Sequence, residues 1–266
     1  MAPLTPKAPL KPIVLHGMLS APNPYKVLLF VRALNLPYTL SPLGHADVKS
    51  PTYLSLNPNG RMPTIHDPNT NLTISESGAI VDYLVSTYDT EKKLSFEFGT
   101  KEHWQAMQWL HFQMSGQGPY FGQAFWFLNY HHEKVDSAIQ RYVNEVKRVC
   151  GVLEGWLAGT LGAAIEGDGN GDANAKGEER KWLVGDKCSF ADLAWLPWHG
   201  ALKMIIEGAG GEGVVFEQEK EFPRMHEWMQ RMREVEGVKE AEKMRDEARA
   251  KMLAEKAKAE KENGKE

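Results

Sequence analysis

The apolar pattern of the chain changes near Leu94, and this change constrains the fold more than any other feature of the sequence. Over residues 13–88 the apolar runs are short and are interrupted by Pro, Gly and Asn, which is typical of alternating strands and helices. After Leu94 the apolar residues follow helical spacing almost throughout. The pattern therefore predicts a mixed α/β domain followed by an all-helical domain.

The first domain is predicted to have the order βαβ, then a short helix, then ββα. Strands are predicted over residues 13–15, 38–40, 63–66 and 72–74. Helical spacing over residues 25–34 predicts a helix between the first two strands, because Asn35 and Pro37 end the pattern. Another helix is predicted from about Glu76 to Tyr88.

Three apolar stripes predict helices of the second domain, over residues 104–114, 135–156 and 222–232. The polar, Gly-rich residues 162–181 predict a surface loop. Beyond Gly237 the chain is rich in Lys, Glu, Ala and Arg, and this segment is predicted to be a solvated charged tail that contributes little to the core. The predicted organisation is a flexible arm at 1–11, the α/β domain at 12–90, the helical domain at 98–236 and the charged helical tail at 237–266.

Charge and composition exclude several classes of function. Lys and Arg number 31 against 35 Asp and Glu, and the net charge of −4 offers no bulk attraction for nucleic acid or an anionic membrane. No segment approaches the roughly 18 apolar residues that span a bilayer, and the first residues lack the apolar region of a secretory signal. Two cysteines, Cys150 and Cys188, favour a reducing compartment. We therefore expect a soluble cytoplasmic protein without a nucleic-acid or membrane partner.

Two motifs match known binding sites only in part. Residues 208–213 match G-x-G-x-x-G, but a helix-like segment precedes them and extended residues follow, so a flexible loop is predicted. Four residues fall at ligand positions of an EF-hand calcium loop, namely Asp168, Asn170, Asp172 and Glu179. Because Ala173 stands where the sharp turn needs Gly, a low-complexity insertion is predicted there, and no metal site is expected.

Three segments of the first domain combine groups that suit a peptide with charged ends. Residues 20–23 lie between a strand and a helix N-terminus, where N–H groups and the helix dipole hold an anion such as a thiolate. Pro63 begins a strand, where a cis peptide bond would leave the Met62 backbone to pair with an extended ligand. Glu76 and Ser77 begin a helix, so they can bind an ammonium and a carboxylate. Each segment alone is also an ordinary turn, but together they fit γ-Glu-Cys-Gly, which is glutathione.

At these residues the chain resembles the glutathione S-transferase superfamily, over about residues 12–236. Four motifs resemble the branch that holds the yeast nitrogen-catabolite regulator, its fungal transferase relatives and the bacterial nu-class enzymes: Ser20-Ala-Pro-Asn23, Asn57-Pro-Asn-Gly-Arg-Met-Pro63, Gly116-Gln-Gly-Pro-Tyr-Phe-Gly-Gln123 and Trp182-Leu-Val-Gly-Asp186. The segment from Ser189 to Asp192 resembles the family's structural capping box. The resemblance implies a thioredoxin-like α/β N-terminal domain plus an all-α C-terminal domain, a homodimer, and glutathione as co-substrate.

The resemblance also implies which residues activate the thiol of glutathione. Asn23 falls where this branch places an Asn beside the glutathione sulfur, and Ser20 is the alternative activating residue. Ala21 stands where nu-class enzymes carry a Thr hydroxyl. A competing role for Asn23 is to cap a helix that begins near Pro24. Tyr25 is expected in the core rather than as a catalytic tyrosine.

The remaining site residues are implied by the same motifs. Glutathione-binding positions of the family are matched by Arg61, Met62, Glu76 and Ser77, with Pro63 as the cis-proline. Lys49 or His45 is expected to bind the glycine carboxylate, because Val48 stands where relatives often have a polar residue. Tyr120 and Gln123 are implied to line the substrate pocket from the helical domain.

The function implied by the resemblance is conjugation of glutathione to an electrophilic small molecule, in detoxification or a natural-product pathway. One alternative is glutathione-dependent disulfide reduction of the nu-class type, which would use glutathione thiols because neither cysteine lies in a site motif. Another is a non-catalytic regulator, although the Pro-rich arm of eleven residues is much shorter than the Asn/Gln-rich arm of the yeast relative. The expected partner is therefore an electrophile or a disulfide.

Overall fold

The computed structural model describes residues 9–44, 46–162, 177–211 and 213–263. The chain divides into two compact units, Met1–Lys93 with Glu234–Glu266, and Leu94–Arg233. No helix in these ranges is long and apolar enough to cross a membrane. His45 and most of the segment that partly matches an EF-hand loop lie outside the described residues.

Four short strands form one mixed sheet in the first unit: β1 (Ile13–His16), β2 (Tyr38–Ser41), β3 (Thr64–Asp67) and β4 (Leu72–Ser75). Their order in the sheet is β2-β1-β3-β4. β1 runs parallel to β2 because a helix connects them, whereas β3 and β4 form an antiparallel hairpin and β3 also pairs antiparallel with β1. This arrangement confirms the predicted α/β domain and its order of elements.

Three helices accompany the strands: α1 (Pro22–Ala33), α2 (Pro51–Leu56) and α3 (Ser77–Tyr88). α1 begins with a proline, whose fixed φ suits the first helical turn and whose missing N–H costs nothing there. It ends before Asn35, which has a φ of 51°. Asn is one of the few side chains that adopt this left-handed conformation readily, so the predicted helix end has a local cause.

The second unit is helical throughout its described elements: α4 (Lys101–Phe112), α5 (Gly118–Asn129), α6 (Asp136–Leu157), α7 (Phe190–Leu193), α8 (Leu196–His199), α9 (Leu202–Gly210), α10 (Gln218–Glu221) and α11 (Pro223–Arg233). A π-helical turn, Gln113–Gln117, joins α4 to α5. The stripe predicted over residues 135–156 is the buried face of α6. The all-helical domain and the helices predicted from the three stripes are confirmed. In the stripe predicted over residues 104–114, however, Leu110 is buried while Trp104 is 56% exposed, so this stripe is not buried as a whole.

A capping box starts α7, as the sequence predicts. The Ser189 side chain and the Asp192 carboxylate each bond a backbone group at the helix start. Asp192 is fully buried and also accepts hydrogen bonds from the Leu183 N–H at 2.9 Å and from the Trp228 indole at 2.8 Å. Burial raises the pKa of this carboxyl, and the hydrogen bonds partly oppose the shift. Asp192 thereby connects α7 to α11 and to the segment before α7 that contains Leu183.

The prediction that a flexible loop begins at Gly208 was wrong. α9 continues through Gly210, so two glycines of the motif are helical. Leu202, Ile205 and Ile206 on the same helix are buried, and their packing outweighs the low helix propensity of Gly. The helix ends where Gly211 adopts a φ of 81°.

The charged tail forms the last helix, α12 (Val238–Asn263), and it packs against α1 within the first unit. Val238 and Ala241 are fully buried. The guanidinium of Arg245 lies 4.7 Å from the centre of the Tyr25 ring. The expectation that this segment contributes little to the core is therefore wrong.

The physical reason is the spacing of the few residues that make these contacts. Residues 238, 241 and 245 are three and four positions apart, so they share one face of the helix despite the charged composition around them. Gly237 has a φ of 80°, and a Cβ there would lie 2.8 Å from the Arg32 carbonyl oxygen. This glycine lets the chain approach the end of α1 closely before α12 begins.

Candidate active site

The turn between β1 and α1 carries Ser20 and Asn23. The residue that precedes α1 is Ala21, which makes no side-chain capping bond, and Asn23 is the second residue of the helix. The alternative that Asn23 caps a helix beginning near Pro24 is therefore wrong. Both polar side chains are half-buried at the positive end of the helix dipole. A Cβ at Gly17 would lie 2.9 Å from the Pro24 ring, so glycine allows this turn to pack on the start of α1.

The second segment is held by hydrogen bonds to the Arg61 carbonyl oxygen. The Tyr53 hydroxyl donates to it at 2.8 Å and the Asn57 amide at 2.6 Å, so the backbone before β3 is fixed while the Arg61 side chain stays exposed. The Met62–Pro63 peptide bond is cis, which confirms that expectation. The Met18 N–H donates to the Met62 sulfur at 3.4 Å, and this contact joins the second segment to the β1–α1 turn.

The third segment begins α3 with an unusual backbone. Glu76 has a φ of 68°, in a region that side chains other than Gly and Asn rarely adopt, and such positions concentrate at ligand sites. Its carboxylate accepts a hydrogen bond from the Asn59 side-chain amide at 3.3 Å, which joins the second and third segments. Ser77 is the first residue of α3 and is buried, so its hydroxyl lies beside the N–H groups of a helix N-terminus.

A buried lysine contacts this third segment from α1. Lys26 has no exposed surface, and its Nζ donates to the Ser77 hydroxyl oxygen at 3.0 Å. Burial lowers the pKa of Lys26 to about 7, while the Glu76 carboxylate acts in the opposite direction. All three segments of the candidate site are thus connected by direct contacts within the first unit.

The residues expected to bind the glycine carboxylate differ in exposure. Val48 is buried and belongs to the hydrophobic core. Lys49 is exposed, and its Nζ donates to the Asn59 carbonyl oxygen at 3.4 Å, so it lies beside the second segment of the site.

The two residues implied to line the substrate pocket belong to the helical unit. Tyr120 and Gln123 lie on α5, where Tyr120 is half-buried and Gln123 is exposed. In the same motif Gln117 is buried and donates to the Trp195 carbonyl oxygen at 3.0 Å, so this glutamine holds the helices together. The pocket role of Tyr120 and Gln123 stays a prediction.

Neither cysteine is suited to nucleophilic chemistry. Cys150 and Cys188 are buried in the helical unit, and desolvation raises the pKa of both thiols. The thiolate is the reactive form of cysteine, so these thiols are inert at neutral pH. Among the residues that the structure describes, no three His, Cys, Asp or Glu side chains group as metal ligands.

Sequence reasoning missed two residues of this arrangement. Lys26 is the one charge within the apolar run of residues 25–31, and this interruption of the run is the signal that could have identified it. Asn59 belongs to one of the four motifs, but the resemblance implies no role for it; in the structure its side-chain amide donates a hydrogen bond to Glu76. The arrangement as a whole offers a helix N-terminus beside Ser20 and Asn23, a strand edge at Met62, and paired carboxylate and hydroxyl groups at residues 76 and 77.

Comparisons with known proteins agree with this geometry. Residues 15–92 match the family model described as glutathione S-transferase, N-terminal domain, and residues 117–236 match the glutathione S-transferase, C-terminal domain. A glutathione S-transferase-like protein of Aspergillus fumigatus, tpcF, is 48% identical over 229 residues, 86% of this chain and 94% of the relative. Glutathione S-transferase 2 of Schizosaccharomyces pombe is 39% identical over 82% of this chain and 89% of its own length.

A similar crystal structure is that of the glutathione transferase URE2P6 from Phanerochaete chrysosporium in complex with oxidized glutathione. It is 38% identical in sequence, with a TM-score of 0.75 over 90% of this chain and 98% of that one. Both family models, the two relatives and this structure point to one assignment. The chain belongs to the glutathione S-transferase family.

Proposed function

We propose that this protein binds glutathione in its first unit and conjugates it to an electrophilic small molecule. The observation that carries the proposal is the convergence of the three segments through the Met18–Met62, Asn59–Glu76 and Lys26–Ser77 contacts. The similarity to a transferase crystallised with oxidized glutathione, the disulfide formed from two glutathione molecules, supports a glutathione-binding site here. As the family resemblance implies, we also propose a homodimer that acts in the cytoplasm.

Each segment has a role in the proposed reaction. Glu76 binds the ammonium of the γ-glutamyl group, and Ser77 with the N-terminus of α3 binds its carboxylate. The Met62 backbone pairs with the cysteinyl part of the peptide, while Arg61 and Lys49 supply positive charge for the glycine carboxylate. These contacts hold the sulfur of glutathione at the β1–α1 turn.

The chemical step is a nucleophilic attack by the bound thiolate. The thiol proton leaves to solvent, the sulfur forms a bond to the electrophilic carbon, and the leaving group departs with its bonding electrons. Asn23 donates a hydrogen bond that stabilises the thiolate, and the dipole of α1 acts in the same direction. Both cysteines of the chain are buried with raised pKa values, so the reactive thiol is that of glutathione.

A second candidate is glutathione-dependent reduction of a disulfide. The ligand of the similar structure is itself a disulfide, which favours this reaction. Here one glutathione thiolate attacks the substrate disulfide and releases a thiol, and a second glutathione then forms oxidized glutathione and releases the other thiol.

The test of the proposal is a parallel assay of the purified protein with glutathione. Conjugation is measured with chlorodinitrobenzene and reduction with hydroxyethyl disulfide, each in the wild type and the Asn23→Ala variant. Turnover of the aryl halide that falls in the variant supports conjugation. Turnover of the disulfide alone supports the second candidate, and glutathione binding without turnover of either substrate would support a regulator and overturn both enzymatic proposals.

We expect Glu76→Gln and Ser77→Ala each to weaken glutathione binding by about 1.5–3 kcal/mol. Glu76→Gln removes the negative charge that pairs with the ligand ammonium, and Ser77→Ala removes a hydrogen bond to the ligand carboxylate. Isothermal titration calorimetry measures the change. Ser86→Ala, an exposed serine on the same helix, is the matched control and should bind as the wild type does. Wild-type affinity in both site variants would contradict the assignment of residues 76 and 77.

Asn23→Ala should raise the pKa of the bound glutathione thiol by about one to two units. A free thiol has a pKa of about 8.5, so only about 3% is ionised at pH 7, and one hydrogen bond to a charged acceptor contributes about 1.5–3 kcal/mol. Thiolate absorbance across a pH series measures the shift. Ser20→Ala is the comparison, and an effect confined to that variant would transfer the activating role from Asn23 to Ser20.

A further inference from the structure

The last helix, α12, reaches the turn that carries the proposed thiol site. The Ser20 hydroxyl donates to the Met252 sulfur at 3.5 Å, although the two residues are 232 positions apart. Both residues belong to the first unit. Met252 is still 37% exposed, so its side chain touches the turn without being enclosed there. A residue of the charged tail therefore lies at the β1–α1 turn, beside the place proposed for the glutathione sulfur.

The contacts along α12 show how the helix arrives at this turn. Gly237, just before α12, approaches Arg32 near the end of α1, and Arg245 lies over Tyr25 near its start. Later residues of α12 thus contact earlier residues of α1, so the two helices run antiparallel. At about 1.5 Å per residue, α1 is about 18 Å long, and α12 reaches Met252 about 21 Å from its own start. α12 is therefore long enough to extend past the N-terminus of α1.

Two methionine side chains lie against the β1–α1 turn. The Met62 sulfur accepts the Met18 N–H at 3.4 Å, and the Met252 sulfur accepts the Ser20 hydroxyl. Methionine is flexible and apolar, and its polarisable sulfur makes favourable contacts with aromatic rings. The turn therefore has an apolar edge that suits an aromatic reactant better than a charged one.

The sequence of α12 singles out the part of the helix that reaches this turn. Met252 and Leu253 are the only apolar side chains larger than alanine from residue 245 to residue 263. Both are exposed, whereas the buried residues Val238 and Ala241 serve the packing on α1. A helix that is otherwise charged here thus presents apolar surface where it passes the proposed site.

We infer that Met252 is a specificity-determining residue, which contacts the apolar part of an aromatic electrophile as it reacts with bound glutathione. The inference rests on the proposed function, in which the glutathione sulfur lies at the turn of Ser20 and Asn23. The electrophilic carbon must come within bonding distance of that sulfur, so a ring attached to the carbon comes within reach of a side chain that touches Ser20. α12 contributes this contact from a segment beyond the residues that the two family models match.

The experiment compares methyl and benzyl isothiocyanate, which share a reactive group and differ in apolar bulk. With either compound the thiolate adds to the central carbon and the nitrogen takes up a proton, so no group leaves. The constants kcat and KM are measured for the wild type and for Met252→Gln, which keeps the length of the side chain and makes its end polar. We expect the KM for benzyl isothiocyanate to rise about five- to tenfold through the lost apolar contact. The KM for methyl isothiocyanate and for glutathione should change by less than about twofold.

Two further variants separate this role from a structural one. Ala250→Gln is the matched control, because Ala250 is exposed on the same helix and two positions from Met252, which places it on the opposite side. It should change none of these constants. Met252→Leu keeps an apolar side chain of similar size and should retain the wild-type KM for benzyl isothiocyanate. A role confined to packing would affect both isothiocyanates alike.

Three results would overturn the inference and leave the proposed function intact: an unchanged KM for benzyl isothiocyanate in Met252→Gln, an equal loss with both isothiocyanates, or turnover of the methyl compound alone. If methyl isothiocyanate does not react, the KM of glutathione is the reference. If chlorodinitrobenzene is the only electrophile that reacts, its KM decides by the same criterion. Absence of turnover with all three electrophiles would overturn the proposed conjugation, and this inference with it.

Discussion

Replacing Asp192 by alanine should lower the free energy of unfolding by about 3–5 kcal/mol, because it removes the acceptor of four buried hydrogen bonds. Asp192 is fully buried, and one oxygen accepts from the Leu183 N–H and the Trp228 indole at 2.9 and 2.8 Å. The other accepts from the N–H and hydroxyl of Ser189 at 2.9 and 3.0 Å. Alanine leaves all four donors without this acceptor, and each unsatisfied buried donor costs about 1–3 kcal/mol before the structure relaxes.

Urea denaturation followed by tryptophan fluorescence measures this loss. Asp186→Ala is the matched control, because Asp186 is an exposed aspartate in the same stretch of chain and its removal should change the stability by less than about 0.5 kcal/mol. If Asp192→Ala unfolded at nearly the same urea concentration as Asp186→Ala, the buried hydrogen bonds would not be what holds the start of α7.

Ending the chain after Gly237 should lower the melting temperature by about 10 °C. The deletion removes α12 and with it the buried Val238 and Ala241, whose burial contributes about 2–4 kcal/mol. It also removes the Arg245 guanidinium from the Tyr25 ring, a contact that contributes about 0.5–1 kcal/mol. For a chain of this size, each kcal/mol shifts the melting temperature by roughly 2–4 °C. Differential scanning calorimetry measures the shift.

A second truncation separates the effect of losing these contacts from the effect of shortening the helix. A chain that ends after Ala254 keeps Val238, Ala241 and Arg245, so its melting temperature should stay within about 2 °C of the full chain. If both truncated chains melted at the same temperature as the full chain, α12 would not stabilise the sheet unit.

The sequence was sufficient to predict the elements that have a strong periodic pattern. The four strands, the long stripe of α6 and the capping box at Ser189 were all predicted, since apolar spacing and capping chemistry are local properties of the chain. The packing of α12 was missed because its buried residues are few and are separated by charged ones. Only the three- and four-residue spacing distinguishes Val238, Ala241 and Arg245 from a solvated tail.

The candidate site was predictable where a motif names its residues and not where the contact is made at a distance. Glu76 and Ser77 follow from a strand that ends directly before a helix. Lys26 could not be assigned from its own helix alone, because its partner lies 51 positions away. Likewise, the side-chain contact of Asn59 joins it to Glu76, 17 positions away, and Glu76 itself has a φ of 68°. Composition and periodicity reveal neither feature.

The sheet unit is built from both ends of the chain, and this has a consequence for its synthesis. Tyr38 and the Met244 sulfur that its hydroxyl approaches are 206 positions apart. During translation, β1 to β4 and α1 to α3 leave the ribosome long before α12 exists, and the whole helical unit is made in between. Until then the face of α1 that α12 will cover is open to other chains and to chaperones. A circular permutant in which residue 234 comes first would deliver α12 together with the sheet, and its nascent chains should aggregate less during rapid expression.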